Sequence, residues 1–205
     1  TATMKGLFAT LEFMKVRKQD IVQIKCFANP IKDAATVMDA IASVFAGETI
    51  PPVSLVEWQH SSLPIEIEVV AWRPGGRSKE PVSFATPPGL SSSPVFSRVA
   101  TIHSQNRIYV AGLHSSGQQA DVSQVKSVFD QLKSSLASHQ SDLRHLAKAT
   151  YYVTNPASSG ELNRLRPSLY DPKRPPAASK AMVSGVGFEG RTILIDMIAT
   201  GSVSP

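Results

Sequence analysis

One pattern of elements runs through this chain twice, and self-similarity at this length means duplicated supersecondary units. Phe8-Ala9-Thr10-Leu11 opens a run that reads helix, strand, Asn29-Pro30, helix, Pro51-Pro52-Val53-Ser54, then a strand through Ile65-Glu66-Ile67-Glu68. Phe129-Asp130-Gln131-Leu132 opens another that reads helix, strand, Asn155-Pro156, helix, Pro176-Ala177-Ala178-Ser179, then Ile193-Leu194-Ile195-Asp196. The separation grows from 121 at Phe8 and Phe129 to 125 at Pro51 and Pro176 and 128 at Ile65 and Ile193, which short loop insertions supply. Each copy can therefore be compared with the other.

The break between the copies is compositional. Arg73-Pro74-Gly75-Gly76 and Thr86-Pro87-Pro88-Gly89 bracket a stretch of turn-forming residues. The expected organisation is a partial unit at 1–72, a Pro/Gly-rich linker at 73–89 and a complete unit at 90–205. In the second unit, Phe96–His103 and Arg107–Leu113 read as strands. Val122, Val125, Val128, Phe129, Leu132 and Leu136 recur at helical spacing. Leu146–Thr154 is a strand, and Ser158 with Glu161 fits a capping box for a helix carrying Leu162, Leu165 and Leu169. Ser179–Val186 and Thr192–Ala199 are the closing strands. The first unit repeats the second half of this order: Met4, Leu7, Phe8, Leu11 and Met14 line one helix, and Met38, Ile41, Val44 and Phe45 line another. Ile21–Ala28, Val53–Trp58 and Ile65–Trp72 are its strands, with no counterpart of 96–113. The fold class is α+β, two helices on one face of a mixed sheet. The sheet's other face needs cover, which an oligomer supplies.

Composition narrows the function classes. Hydrophobic residues at 42% and charged ones at 18% describe a globular chain. No apolar run reaches the 18 or so residues of a membrane span, so no membrane partner is expected. A single cysteine, Cys26, excludes an internal disulfide and points to the cytoplasm. The chain opens Thr-Ala-Thr without an initiator Met, which leaves room for residues before it. The net charge of +5 comes from scattered Lys and Arg, not from a basic stripe, so nucleic acid is not the expected partner. His103, His139 and His145 have no metal-ligand spacing with one another or with Cys26, so no metal is expected, and no Gly-rich loop suggests a cofactor.

The words Arg107-Ile-Tyr-Val-Ala-Gly112, Leu146-Ala-Lys-Ala-Thr-Tyr-Tyr-Val-Thr-Asn155, Pro175-Pro-Ala-Ala-Ser179 and Ile193-Leu-Ile-Asp-Met-Ile-Ala199 occur in fixed order. Asp20–Ala28, Pro51–Ser54 and Ile65–Ala71 answer the last three of them in the first copy. In this order and spacing the chain resembles the YjgF/RidA family, also called L-PSP endoribonuclease-like. The resemblance implies chorismate-mutase-like units packed as a trimer or pseudo-trimer around a barrel, with ligand clefts between units. It also implies hydrolysis of reactive enamines and imines, with an arginine in a Pro-x-Arg-Ser word gripping the substrate carboxylate and a last-strand glutamate positioning water.

The chain departs from that pattern where the chemistry is sharpest. A guanidinium grips a carboxylate through two parallel charge-assisted hydrogen bonds. The arginine position holds Val53 in one copy and Ala178 in the other, and neither binds an anion. The glutamate position holds Glu66 in one and Leu194 in the other. Lys180, two residues past Ala178, and Asp196, an acid within an apolar strand, are the catalytic candidates, since buried charge is costly unless paired or used. The ligand-binding candidates are Ala111 and Gly112, where the family brings backbone near ligand, with His114, Ala178, Ser179 and Tyr152. Three functions follow. The first is a divergent member that binds a small metabolite between units without the deaminase reaction. The second is an active imine or enamine hydrolase using Lys180 and Asp196. The third is an RNA-binding or endoribonuclease-like protein.

Overall fold

The computed structural model describes residues 2–59, 64–75, 78–91, 93–115 and 121–201. Gly76, Arg77 and Ser92, part of the stretch that reads as linker and its Ser-rich continuation, lie outside the described residues. The chain divides into two compact units, Thr1–Gly75 and Gly76–Pro205. No described helix is long and apolar enough to cross a membrane.

The first unit runs α1 (Ala2–Phe13), β1 (Ile21–Ala28), α2 (Ala34–Val44), β2 (Val53–Glu57) and β3 (Ile65–Ala71). Its sheet has the order β2-β1-β3, with β1 parallel to β2 and antiparallel to β3. Leu11, Ile21, Ile24, Ile41 and Phe45 form its core, with Val53, Ile67 and Val69 packed against them. Apolar positions two apart on the strands meet apolar positions three and four apart on the helices, which is the pattern of helices laid on one sheet face. Met38, expected on the apolar stripe of α2, is exposed; Ile41 is the buried residue of that helix.

The second unit runs β4 (Val82–Ala85), β5 (Val99–Ile102), β6 (Arg107–His114), α3 (Asp121–Ser138), β7 (Leu146–Val153), α4 (Pro156–Leu169), β8 (Ala177–Met182) and β9 (Ile193–Thr200). Its main sheet has the order β6-β9-β7-β8, mixed in direction, since β7 and β8 are parallel and the other pairs antiparallel. Val125, Val128, Phe129, Leu132 and Leu136 of α3 are buried with Leu162 of α4 against Ala149, Tyr151, Ile195 and Met197. Fully burying each such side chain is worth about 1.5–3 kcal/mol, so the stripe on α3 alone fixes that helix to the sheet. The family fold class expected from sequence, two helices on one face of a mixed sheet, is what the second unit has.

Three local expectations need correction. The stretch 73–89 is not linker throughout, because Val82–Ala85 pairs antiparallel with Val99–Ile102. Pro and Gly at both ends of the stretch hid a short strand whose partner strand begins only at Val99, opposite Ala85. Val122 is exposed at the first turn of α3, and Gln124 is the buried residue there. The start of α4 is capped by Asn155, whose Oδ1 accepts from Ser158 N at 2.9 Å, with Pro156 in the first turn. Ser158 and Glu161 do not form a capping box. Ser158 Oγ donates to Thr192 Oγ1, and Glu161 takes a two-point ion pair from Arg164. Asn155 sits one residue ahead of a proline that favours the first helical position, which is the stronger start signal.

The sheets of the two units correspond in detail. Ile24 is level with Val53 as Ala149 is with Ala178, and Ala28 is level with Ile65 as Val153 is with Ile193. β1 and β7 each carry an irregularity near the start, between Ile21 and Gln23 and between Leu146 and Lys148.

Candidate functional site

The second unit's sheet has a helix face and an open face, and alternation assigns every strand residue to one or the other. On β9, Ile193, Ile195, Met197 and Ala199 belong to the core under the helices, so Leu194, Asp196 and Ile198 point to the open face. On β7, Ala149, Tyr151 and Val153 belong to the core, which puts Lys148, Thr150 and Tyr152 on the open face. The register then builds rows across that face. Ser179, Thr150 and Asp196 form one, and Ala181, Tyr152, Leu194 and His114 form the next.

Asp196 faces a break in the ladder. Between Val110 and Leu113, β6 carries one more residue than β9, a bulge formed at Ala111 and Gly112. Gly112 has φ +65, a conformation that costs an L-residue and not a glycine. Its freed N–H donates to Asp196 Oδ1 at 2.8 Å. The carboxylate in the apolar strand is thus held by the chain's own backbone, and Asp196 and the bulge are one structural unit.

The end of β6 is fixed by a buried amide. Gln124 Oε1 accepts from Thr192 N at 3.1 Å and from Ser115 Oγ at 3.2 Å, while its Nε2 donates to Gly190 O at 2.9 Å. One side chain of α3 thereby joins the end of β6, the 187–190 turn and the start of β9. His114 packs edge-on against Phe188 of that turn, ring centroids 5.1 Å apart, and its Nδ1 bonds Ser115 O at 2.9 Å. A carbonyl only accepts, so Nδ1 is the donor in this bond. Gln124, Ser115 and Phe188 escaped the sequence reading. The signal for Gln124 was a polar residue four positions before Val128 on an apolar helix face.

The open face gathers Asp196, Ala111, Gly112, His114, Tyr152 and Ser179. It does not gather Ala178 or Lys180. Ala178 is level with core residue Ala149 and packs against the core, as Val53 does in the first unit. Lys180 is level with Tyr151 and donates from Nζ to Ser159 Oγ at 2.9 Å and Asn163 Oδ1 at 3.1 Å, both on α4. Burial, and next the nearby Arg166 guanidinium, lower its pKa from the ordinary lysine value. Lys180 and Asp196 therefore lie on opposite faces, and the expected catalytic pair is not formed. The lysine on the face of Asp196 is Lys148, whose Nζ donates to Thr150 Oγ1 at 2.8 Å, beside Asp196 in register. Two surface depressions, about 190 Å³ beside Phe84 and Pro175 and about 500 Å³ beside Arg107 and His139, include none of the candidates in their linings. The described residues contain no cluster of three or more His, Cys, Asp or Glu that could hold a metal ion. Burial pushes the Cys26 thiol up to about 11, which keeps it protonated and unreactive.

The family model for endoribonuclease L-PSP matches residues 90–200, more than half of the chain. The chain belongs to the endoribonuclease L-PSP family. The matched range runs from Leu90 to the last residue of β9 and so takes in both rows of the open face. Among solved structures, the chain is similar to YyfB of the conserved Rid protein family from Yersinia pestis. That likeness has 20% identity and a TM-score of 0.52 and covers 59% of this chain and 99% of that one. It is also similar to NMB1025, a YjgF family member from Neisseria meningitidis, at 18% identity and a TM-score of 0.45, over 60% of this chain and 97% of that one. The likeness to YyfB supports the family fold in this chain. No curated protein matches the chain.

Proposed function

We propose that this chain is a divergent member of the L-PSP family that binds a small metabolite at the open face of its second unit without catalysing enamine or imine hydrolysis. The observation that carries this reading is the placement of Ala178 and Val53. Both stand where the family resemblance puts the carboxylate-gripping arginine, and both are partly buried against hydrophobic cores. A methyl or isopropyl group there gives a substrate carboxylate no donor. The separation of Lys180 from Asp196 supports the same reading, since a general acid or base must reach the atom it serves. The ligand site combines the Gly112 bulge, Asp196, Thr150 and Ser179 as polar contacts with Tyr152, Leu194 and His114 as an apolar wall. The first unit is a second, partial copy of the same domain, which its matching strand order and register support.

The test is ammonia release from 2-aminoacrylate generated in situ. The expected result is no rate above the blank. A rate abolished by Asp196→Ala would overturn the proposal in favour of an active hydrolase.

The family's description names an endoribonuclease, but the described histidines support no such activity here. His103 bonds Ser83, His114 the backbone at Ser115, His139 the backbone at Ser135 and His145 Asp142, and no two of them bond each other or a common partner. General acid–base cleavage of RNA by histidines needs two of them around one phosphate.

A further inference from the structure

We propose that Lys180 and Arg166, joined through Asn163 between β8 and α4, form a binding site for a small oxyanion, a carboxylate or a phosphate. The two cations converge on one neutral oxygen. Lys180 Nζ lies 3.1 Å and an Arg166 amino nitrogen 2.6 Å from Asn163 Oδ1, which places them within about 6 Å of each other. Like charges this close repel, and in a partly buried site water screens them less than at a free surface.

Their partners do not neutralise them. Lys180 donates to Ser159 and Asn163, both uncharged. An ammonium has three donors, so one remains for a ligand. Arg166 lies over the Tyr151 ring, 5.6 Å from its centroid, and its Nε is buried without a partner among the described residues. Glu161, the acidic residue of α4, is held by Arg164 through bonds of 2.7 and 2.6 Å and so is not available to either cation. Both cations are placed before any ligand arrives, Arg166 by its stacking and Lys180 by two hydrogen bonds. Pre-placement of this kind lowers the ordering cost of binding. Asn163 is exposed, so the pair opens to solvent at that end.

An oxyanion supplies what the pair lacks. It accepts from the third ammonium hydrogen and from the guanidinium, and it cancels the repulsion between them. The site is independent of the metabolite site proposed above. It lies on the helix face, the opposite side of the sheet from Asp196, and it uses neither the family's arginine position nor the Gly112 bulge.

Thermal unfolding in inorganic phosphate, in acetate and in chloride at matched ionic strength tests this. The expected result is a saturable rise in Tm with phosphate or acetate over chloride. The rise is lost in Lys180→Met and in Arg166→Gln and kept in Lys180→Arg. Phosphate alone acting identifies a phosphate site, and both acting identifies a general carboxylate and phosphate site. If Lys180→Met does not fold, Lys180→Gln with isothermal titration of phosphate gives the same comparison. Equal stabilisation by chloride, or an undiminished phosphate effect in the Lys180 and Arg166 variants, overturns the proposal. Neither outcome bears on the ammonia assay, so the two readings fail separately.

Discussion

At the level of single residues, buried polar side chains that pair with one another tie parts of the second unit together. Tyr151 and Tyr170 share a hydrogen bond between their hydroxyls deep under α4, and burial pushes Tyr151 up to about 12 and Tyr170 well above the ordinary tyrosine value. Both phenols therefore stay neutral through the range in which proteins are studied. The arrangement makes an asymmetric prediction. Tyr170→Phe leaves the Tyr151 hydroxyl buried without its partner and is expected to cost about 1–3 kcal/mol. Adding Tyr151→Phe removes the stranded group, so the double variant is expected to recover much of that loss. Urea unfolding of the three proteins checks the order. A double variant as unstable as the sum of the two single ones would show that packing, not the shared hydrogen bond, carries the effect.

At the level of elements, the bulge of β6 is the feature that gives the open face its shape. It exists because Gly112 tolerates φ +65 and because Asp196 accepts the N–H that the ladder no longer uses. A Cβ at Gly112 meets nothing within 4 Å, so Gly112→Ala tests the backbone alone. It is expected to cost about 1–2 kcal/mol, the penalty of a left-handed L-residue. Asp196→Asn keeps an acceptor for Gly112 N and is expected to be milder than Asp196→Ala, which leaves that exposed N–H to water. Chemical denaturation ranks the three variants. Equal effects from Asn and Ala at 196 would mean that the carboxylate does not hold the bulge. Sequence reasoning reached this element in pieces, with Gly112 as a place of close backbone approach and Asp196 as a carboxylate needing a partner. That each answers the other was not legible, because the two residues are 84 apart and only the β6–β9 register brings them level.

At the level of the whole molecule, the open face of the second unit carries Tyr109, 68% exposed and level with Ile198, and, further along the sheet, the partly buried Tyr152 and Leu194. An apolar and aromatic sheet face of this kind is stabilised by packing against another sheet. With two like sheets per chain, the expected assembly is a closed ring of such units, trimeric or pseudo-trimeric. Light scattering is expected to give a mass that is a multiple of the 22.0 kDa chain, and Tyr109→Asp is expected to reduce it. A wild-type mass of a single chain would exclude the ring. Sequence reasoning found the fold class because helix and strand periodicities are local. It missed β4 and the Asn155 cap. The strand is only four residues long among prolines, and Ser158 with Glu161 imitates a cap signal that Asn155 and Pro156 give three residues earlier.

The amino-acid sequence by itself determined that Val53 and Ala178 cannot grip an anion, since that follows from side-chain chemistry alone. It also determined the order of strands and helices apart from β4, through apolar spacing of two against three and four. Only the tertiary structure decided which charges act together. Lys180 and Asp196 both belong to closing strands of one sheet, and nothing in their spacing says that one points toward α4 and the other away from it. Side-chain direction alternates along each strand, so the face of a residue depends on cross-strand register, and register is set by contacts between distant segments. Those contacts turned Lys180 toward Arg166 and gave Asp196 the bulge at Gly112 as its partner.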